Sequence, residues 1–123
     1  MKYLRTESRF MDNRKNDLYY TQKITADLAF IVAHTENLSK EEFDRDEVLI
    51  DSVMFRLIQI SENSDRLTDD FKQRHSHIPW HAIKGLRNRI VHEYGNVDFT
   101  IVYDTVKRDI PELLGILKNI FID

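Results

Sequence analysis

Arg87, Asn88, His92 and Tyr94 are crowded into about two helical turns of "GLRNRIVHEYGNVD", residues 85–98. Imidazole titrates near neutral pH and can take or give a proton. A guanidinium grips phosphate oxygens through paired N–H groups and meets the charge that develops on them. The chemistry within reach of these residues is therefore proton transfer beside a bound anion. The wider segment agrees with that reading. From Phe71 to His92 there is no Asp or Glu, while Lys72, Arg74, Lys84, Arg87 and Arg89 are present, with four of the five histidines. The chain has 18 basic and 21 acidic residues and a net charge of −3, so one basic stretch sits on an otherwise acidic body. Chance clustering on a solvated face is the plain alternative.

These residues share a helix whose geometry constrains them. On a wheel of about 100° per residue, Trp80, Ile83, Leu86, Ile90 and Val91 form a core face, and Arg87 and Tyr94 land in its middle. An unpaired arginine in an apolar stripe is costly to bury. The other side carries His81, Gly85, Asn88 and His92. Glycine inside a helix costs about 0.5–1 kcal/mol against alanine and often marks the close approach of a ligand or another backbone. Arg87 and His92 stand about 140° apart round a straight helix. They meet only if the arginine curls round, if the helix loosens towards Gly95, or if the pair is drawn from two subunits across a shared cleft. The third route leads. Each residue also has a purely structural reading: Arg87 paired with Glu62, His92 closing the helix end against its dipole, Tyr94 packing. His75, His77 and His81 have a spacing that suits a metal, but no cysteine or carboxylate lies near them in sequence, so no metal is expected.

The elements that must position these groups are helical. Three glycines and two prolines punctuate 123 residues, and β-branched alternation is absent, which predicts an all-α protein. A first helix is expected from about Asn13 to Thr35, with Leu18, Ile24, Leu28, Ile31 and Val32 on its core face. Ser39 and Glu42 form a capping box. The next helix, Arg45 to Arg66, is apolar almost all round, which suits a helix divided between its own core and a second subunit. Thr68 caps a short helix, and Pro79 suits the first turn of the helix at 80–94. Gly95 stops that helix, and Asp98 caps the following one, which Pro111 kinks or divides. The expected architecture is an antiparallel up-and-down bundle of four to five helices forming one domain, residues 11–123, behind a poorly ordered extension at 1–10. With no cysteine, no signal-like N-terminus and no apolar run long enough to cross a bilayer, the expectation is a cytoplasmic protein off the membrane.

The segment "RNRIVHEY" matches an Arg-x4-His-x-Tyr pattern, and in this the chain resembles HepT-type proteins of the HEPN superfamily. The flanks "IPWHAIKGLRN" and "VD…DIPELL", together with "LSKEEF" and "ISEN", look like that family too, so the resemblance runs from about Met11 onward. Gly95-Asn96 departs from it, since members often carry an aromatic or other side chain after the tyrosine, and this bears on the turn rather than the chemistry. The resemblance implies a homodimeric helical ribonuclease, the toxin of a prokaryotic toxin–antitoxin pair, with Arg and His of both subunits lining one cleft and no metal or cofactor required. It implies an antitoxin of the MNT nucleotidyltransferase type that adenylylates Tyr94. On this reading Arg87 and His92 are catalytic, Asn88 orients His92 or the phosphate, and Lys84, Arg89 and His81 contact the RNA. The other reading is a catalytically silent dimer that docks onto the nucleotidyltransferase as its substrate-binding subunit.

Overall fold

A computed structural model describes the backbone of residues 2–92 and 99–120, with side chains at 13–85, 87, 88, 90 and 99–120. All described secondary structure is helical: α1 (Lys2–Thr35), α2 (Lys40–Arg45), α3 (Glu47–Asp65), α4 (Asp69–Arg74), α5 (Trp80–His92), α6 (Phe99–Asp104), a π-helical turn (Thr105–Asp109) and α7 (Ile110–Lys118). Among the described residues no helix is long and apolar enough to cross a membrane. The long elements α1, α3, α5 and the run from α6 to α7 make the expected helical bundle, with α2 and α4 as short connectors. The expected start near Asn13 falls inside α1, whose helical backbone begins at Lys2 and takes in residues 2–10 of the segment read as an extension.

The connectors form where local chemistry tells them to. The Ser39 hydroxyl accepts from the Glu42 backbone N–H, and the Glu42 carboxylate accepts from the Ser39 N–H, a complete capping box for α2. Thr68 caps α4 by accepting from the Phe71 N–H. The Pro79 carbonyl accepts the first helical bond of α5 from Ile83. The expected stop at Gly95 and cap at Asp98 lie outside the described residues. Pro111 opens no gap in the helical backbone. Its ring crowds the carbonyl four residues back and it has no N–H to give, so the preceding turn widens and the Ile110 N–H donates to the Thr105 carbonyl instead.

The central element is α3, which packs against α1 on one side and α5 on the other. Its Ile50, Val53, Met54, Leu57 and Ile60 are buried, together with Ile24, Leu28 and Ile31 of α1 and Ile90 of α5. Two polar contacts fix the antiparallel register of α1 and α3. The Arg56 guanidinium donates to Asp27 (2.7 Å), and the buried Asp17 carboxylate accepts from both the N–H and hydroxyl of Thr68 (2.9 and 2.8 Å) just beyond the end of α3. Asp17 thus takes the core position expected of its neighbour Leu18, which is 38% exposed. The bundle closes where Lys107 donates to the carbonyls of Thr35 and Glu36, a cation at the negative end of α1. Val48 and Phe55 of α3, seven residues apart, are 78% and 57% exposed, so part of this helix's apolar surface lies outside the core.

Candidate active site

The site forms along the seam of α3 and α5. Ile90, fully buried, anchors α5, with Ile83 half-buried on the same face two turns earlier. Arg87 lies between them along the helix, and its side chain is one-third exposed. Its Nε–H donates to Glu62 Oε1 at 2.8 Å, and Nη1 donates to Asn88 Oδ1 at 3.3 Å. The structural partner expected for Arg87 is therefore real, but Glu62 is itself 41% exposed. A pair that open contributes little to stability, on the order of 0–1 kcal/mol. What it provides is direction. Held through Nε and one Nη1 hydrogen, the guanidinium is fixed in orientation, and its five donors are not exhausted by two bonds.

Along the outward side of α5, His81, Lys84, Gly85 and Asn88 are all exposed. A methyl group at Gly85 would meet nothing within 4 Å, so among the described residues nothing requires the glycine there. His92 is the final residue of α5. Its side chain and that of Arg89 lie outside the described residues, as does all of Tyr94. Helical register still places His92 on the sector shared by Asn88 and Lys84, one turn beyond Asn88. Of the core face expected on α5, Ile90 is buried as anticipated, but Trp80 is only half-buried and forms one wall of an open cleft beside α4. Leu86 and Val91 fall outside the described side chains.

The histidine run ahead of α5 divides by environment. The His75 ring packs on Phe71 with centroids 4.5 Å apart and on His77 at 6.1 Å. Among the described residues no three His, Asp, Glu or Cys side chains gather as a metal site would require. Burial, then the charge of Arg74, then His77, push the His75 proton affinity below the ordinary imidazole value of 6.5. In the unfolded chain His75 takes up its proton first as pH falls. The stabilisation is therefore complete above about pH 6.5 and is lost as pH drops towards the lower folded value. Thermal denaturation followed by circular dichroism is expected to show a melting temperature that falls below pH 6.5, and a shallower fall in a His75→Gln protein.

A seam that holds an arginine towards solvent, five residues before a histidine on one helix, is the setting in which the known relatives become informative. Residues 24–120, which include both, match the profile of the family described as ribonuclease HepT-like. The chain belongs to the HepT-like ribonuclease family. Among its relatives are "Putative RNase TTE0752" of Caldanaerobacter subterraneus subsp. tengcongensis, 33% identical over 82% of this chain and 90% of that protein, and "Probable ribonuclease HepT" of Thermococcus cleftensis, 33% identical over 78% and 87%. "Putative RNase MJ1216" of Methanocaldococcus jannaschii is 30% identical over 76% of this HepT-like chain and 77% of its own length. No solved structure matches the chain significantly.

Proposed function

We propose that this HepT-like chain is a metal-independent endoribonuclease, the toxin of a prokaryotic toxin–antitoxin pair, acting in the cytoplasm as a homodimer. The observation that carries this is the solvent-facing Arg87, oriented by Glu62 and Asn88. In the proposed reaction one His92 imidazole removes the proton of the ribose 2′-hydroxyl, whose oxygen attacks the adjacent phosphorus. The bond from phosphorus to the 5′-oxygen breaks, and a second imidazole protonates that oxygen as it leaves. A cyclic 2′,3′-phosphate and a free 5′-hydroxyl result. Arg87 meets the charge on the equatorial oxygens, and Asn88 holds the guanidinium or the imidazole in place. Lys84, Arg89 and His81 carry the flanking strand.

The second imidazole comes from a second copy. Val48, Phe55 and Glu62 recur every seven residues on α3, so an exposed apolar stripe leads along one face directly to the partner of Arg87. Two copies packed on that stripe bring their Arg87 groups to one cleft, and the open Gly85 admits the facing backbone. The antitoxin in this reading is a nucleotidyltransferase that transfers AMP from ATP to the Tyr94 hydroxyl with release of pyrophosphate, placing negative charge and bulk at the mouth of the site. The Arg87–Glu62 contact favours a second reading, in which the arginine is structural and a silent dimer presents a substrate to the nucleotidyltransferase.

The wild-type protein, incubated with RNA in excess chelator and without its partner, is expected to release fragments ending in cyclic phosphate. Addition of the nucleotidyltransferase and ATP is expected to add the mass of AMP and stop cleavage. A Tyr94→Phe protein should gain no mass. Intact RNA in the first experiment, with AMP still added in the second, would select the silent reading.

A further inference from the structure

The basic stretch extends beyond the residues used above, to a cleft between α4 and the first turn of α5. This cleft, about 580 Å³ in volume and open to solvent, is lined by Lys72, Gln73, Ser76, Trp80 and His81, with Asp69 as its carboxylate. Trp80 is fixed in position. Its indole N–H donates to the His75 carbonyl at 3.1 Å, and its ring lies 6.3 Å from that of the buried Phe71. A side chain already held in place loses little freedom when a ligand settles on it. Among the described residues Lys72 forms no ion pair, in contrast to Arg74, which is paired with Asp70 at 3.0 Å. The cleft therefore offers a rigid aromatic wall, an amide and a hydroxyl able to meet hydrogen-bonding edges, and an ammonium and an imidazole suited to phosphate.

That combination fits a single-stranded nucleotide. Aromatic walls take bases of any sequence, and nearby cations take the backbone. Position agrees with it. Trp80 and Arg87 lie seven residues apart on one side of α5, about 10 Å along the axis, with the exposed Lys84 between them. A strand whose scissile phosphate sits at Arg87 can run along this ridge, over Lys84, to Trp80.

We propose that the Trp80 cleft is a substrate subsite that stacks an unpaired base of the RNA close to the bond being cut, a proposal that rests on the ribonuclease reading of Arg87 and His92. The subsite restricts cleavage to single-stranded or looped RNA, because a base held in a duplex cannot reach the indole.

Trp80 is the one tryptophan of the chain, so its emission reports this wall alone. The full-length His92→Ala protein, chosen so that the strand stays intact, is titrated with a short labelled single-stranded RNA. Anisotropy of the label and tryptophan emission are followed together. The expected result is binding accompanied by quenching. An abasic ribose-phosphate strand of equal length should bind without the quench, and a duplex should bind with little of it. Trp80→Leu should weaken RNA binding roughly 10- to 100-fold, and Trp80→Phe should retain most of the affinity. Binding with unchanged emission, or equal quenching by the abasic strand, would overturn the subsite and leave the nuclease reading standing. Absence of any binding would overturn both. Quenching by RNA that the wild-type protein never cuts would keep the subsite and remove the nuclease.

Discussion

Replacing His92 by alanine is expected to slow RNA cleavage by roughly 10²–10⁴-fold, the range over which a positioned acid or base contributes to proton transfer. The measurement is single-turnover cleavage of a labelled RNA at saturating protein, so that loss of chemistry is separated from loss of binding. Folding should survive the substitution, since α5 is anchored upstream by Ile90, and circular dichroism melting tests this. The same experiment decides against the structural alternative. A histidine that only closes a helix end contributes about 0.3–1 kcal/mol through the dipole. Its removal would then lower the melting temperature and leave the activity of the folded protein unchanged. If His92 acts as base in one copy and as acid in the other, the wild-type rate should rise and fall with pH on either side of neutrality. Full activity in the alanine protein would end the assignment.

Legibility followed the range of each interaction. Caps and turns were readable because both partners sit within a few residues, as with Ser39 and Glu42, or Thr68 and Phe71. Helical periodicity likewise put Ile24, Leu28 and Ile31 on one face. Hydrophobicity misplaced Leu18, because the core position beside it belongs to Asp17, whose carboxylate is satisfied by Thr68, 51 residues away. No local pattern announces such a pair. The π-helical turn was half legible: Pro111 signals a disturbance, but widening the turn costs less than breaking a helix whose Ile110, Leu113, Leu114 and Leu117 are all buried.

The site divided in the same way. The crowding of Arg87 and Asn88 was visible as spacing, and their contact is local. Glu62 entered the sequence reading as a rival explanation for Arg87. The contact is present at 2.8 Å, between side chains that are 33% and 41% exposed. Trp80 misled for a physical reason: a large aromatic ring at core spacing can bury one part of itself against Phe71 and leave the rest as a wall. The signal that separates the two cases is the company it keeps, acid-free and basic on both sides.

Mixing two inactive proteins is expected to restore part of the cleavage. Arg87→Ala alone should lower the rate roughly 10²–10³-fold, the loss typical of one group that stabilises charge in the transition state. Residues 87 and 92 stand about 140° apart round α5, and the proposed site pairs the arginine of one copy with the histidine of another. An Arg87→Ala dimer then lacks every arginine, and a His92→Ala dimer lacks every histidine. A mixed dimer keeps one of each, on opposite chains. Random re-pairing of equal amounts makes about half of the dimers mixed, and each mixed dimer lacks the second imidazole, so recovery should stay well below half of the wild-type activity when each dimer has one cleft. A pair drawn from within one chain would give no recovery, because neither chain of the mixed dimer holds both groups. Rescue should also require the exposed stripe of α3. Phe55→Asp introduced into both variants puts a carboxylate on that face, and is expected to leave the chains folded, separate and inactive after mixing. Recovery that persists in separated chains would remove the shared cleft and, with it, the reason an exposed apolar row on α3 ends at the partner of Arg87.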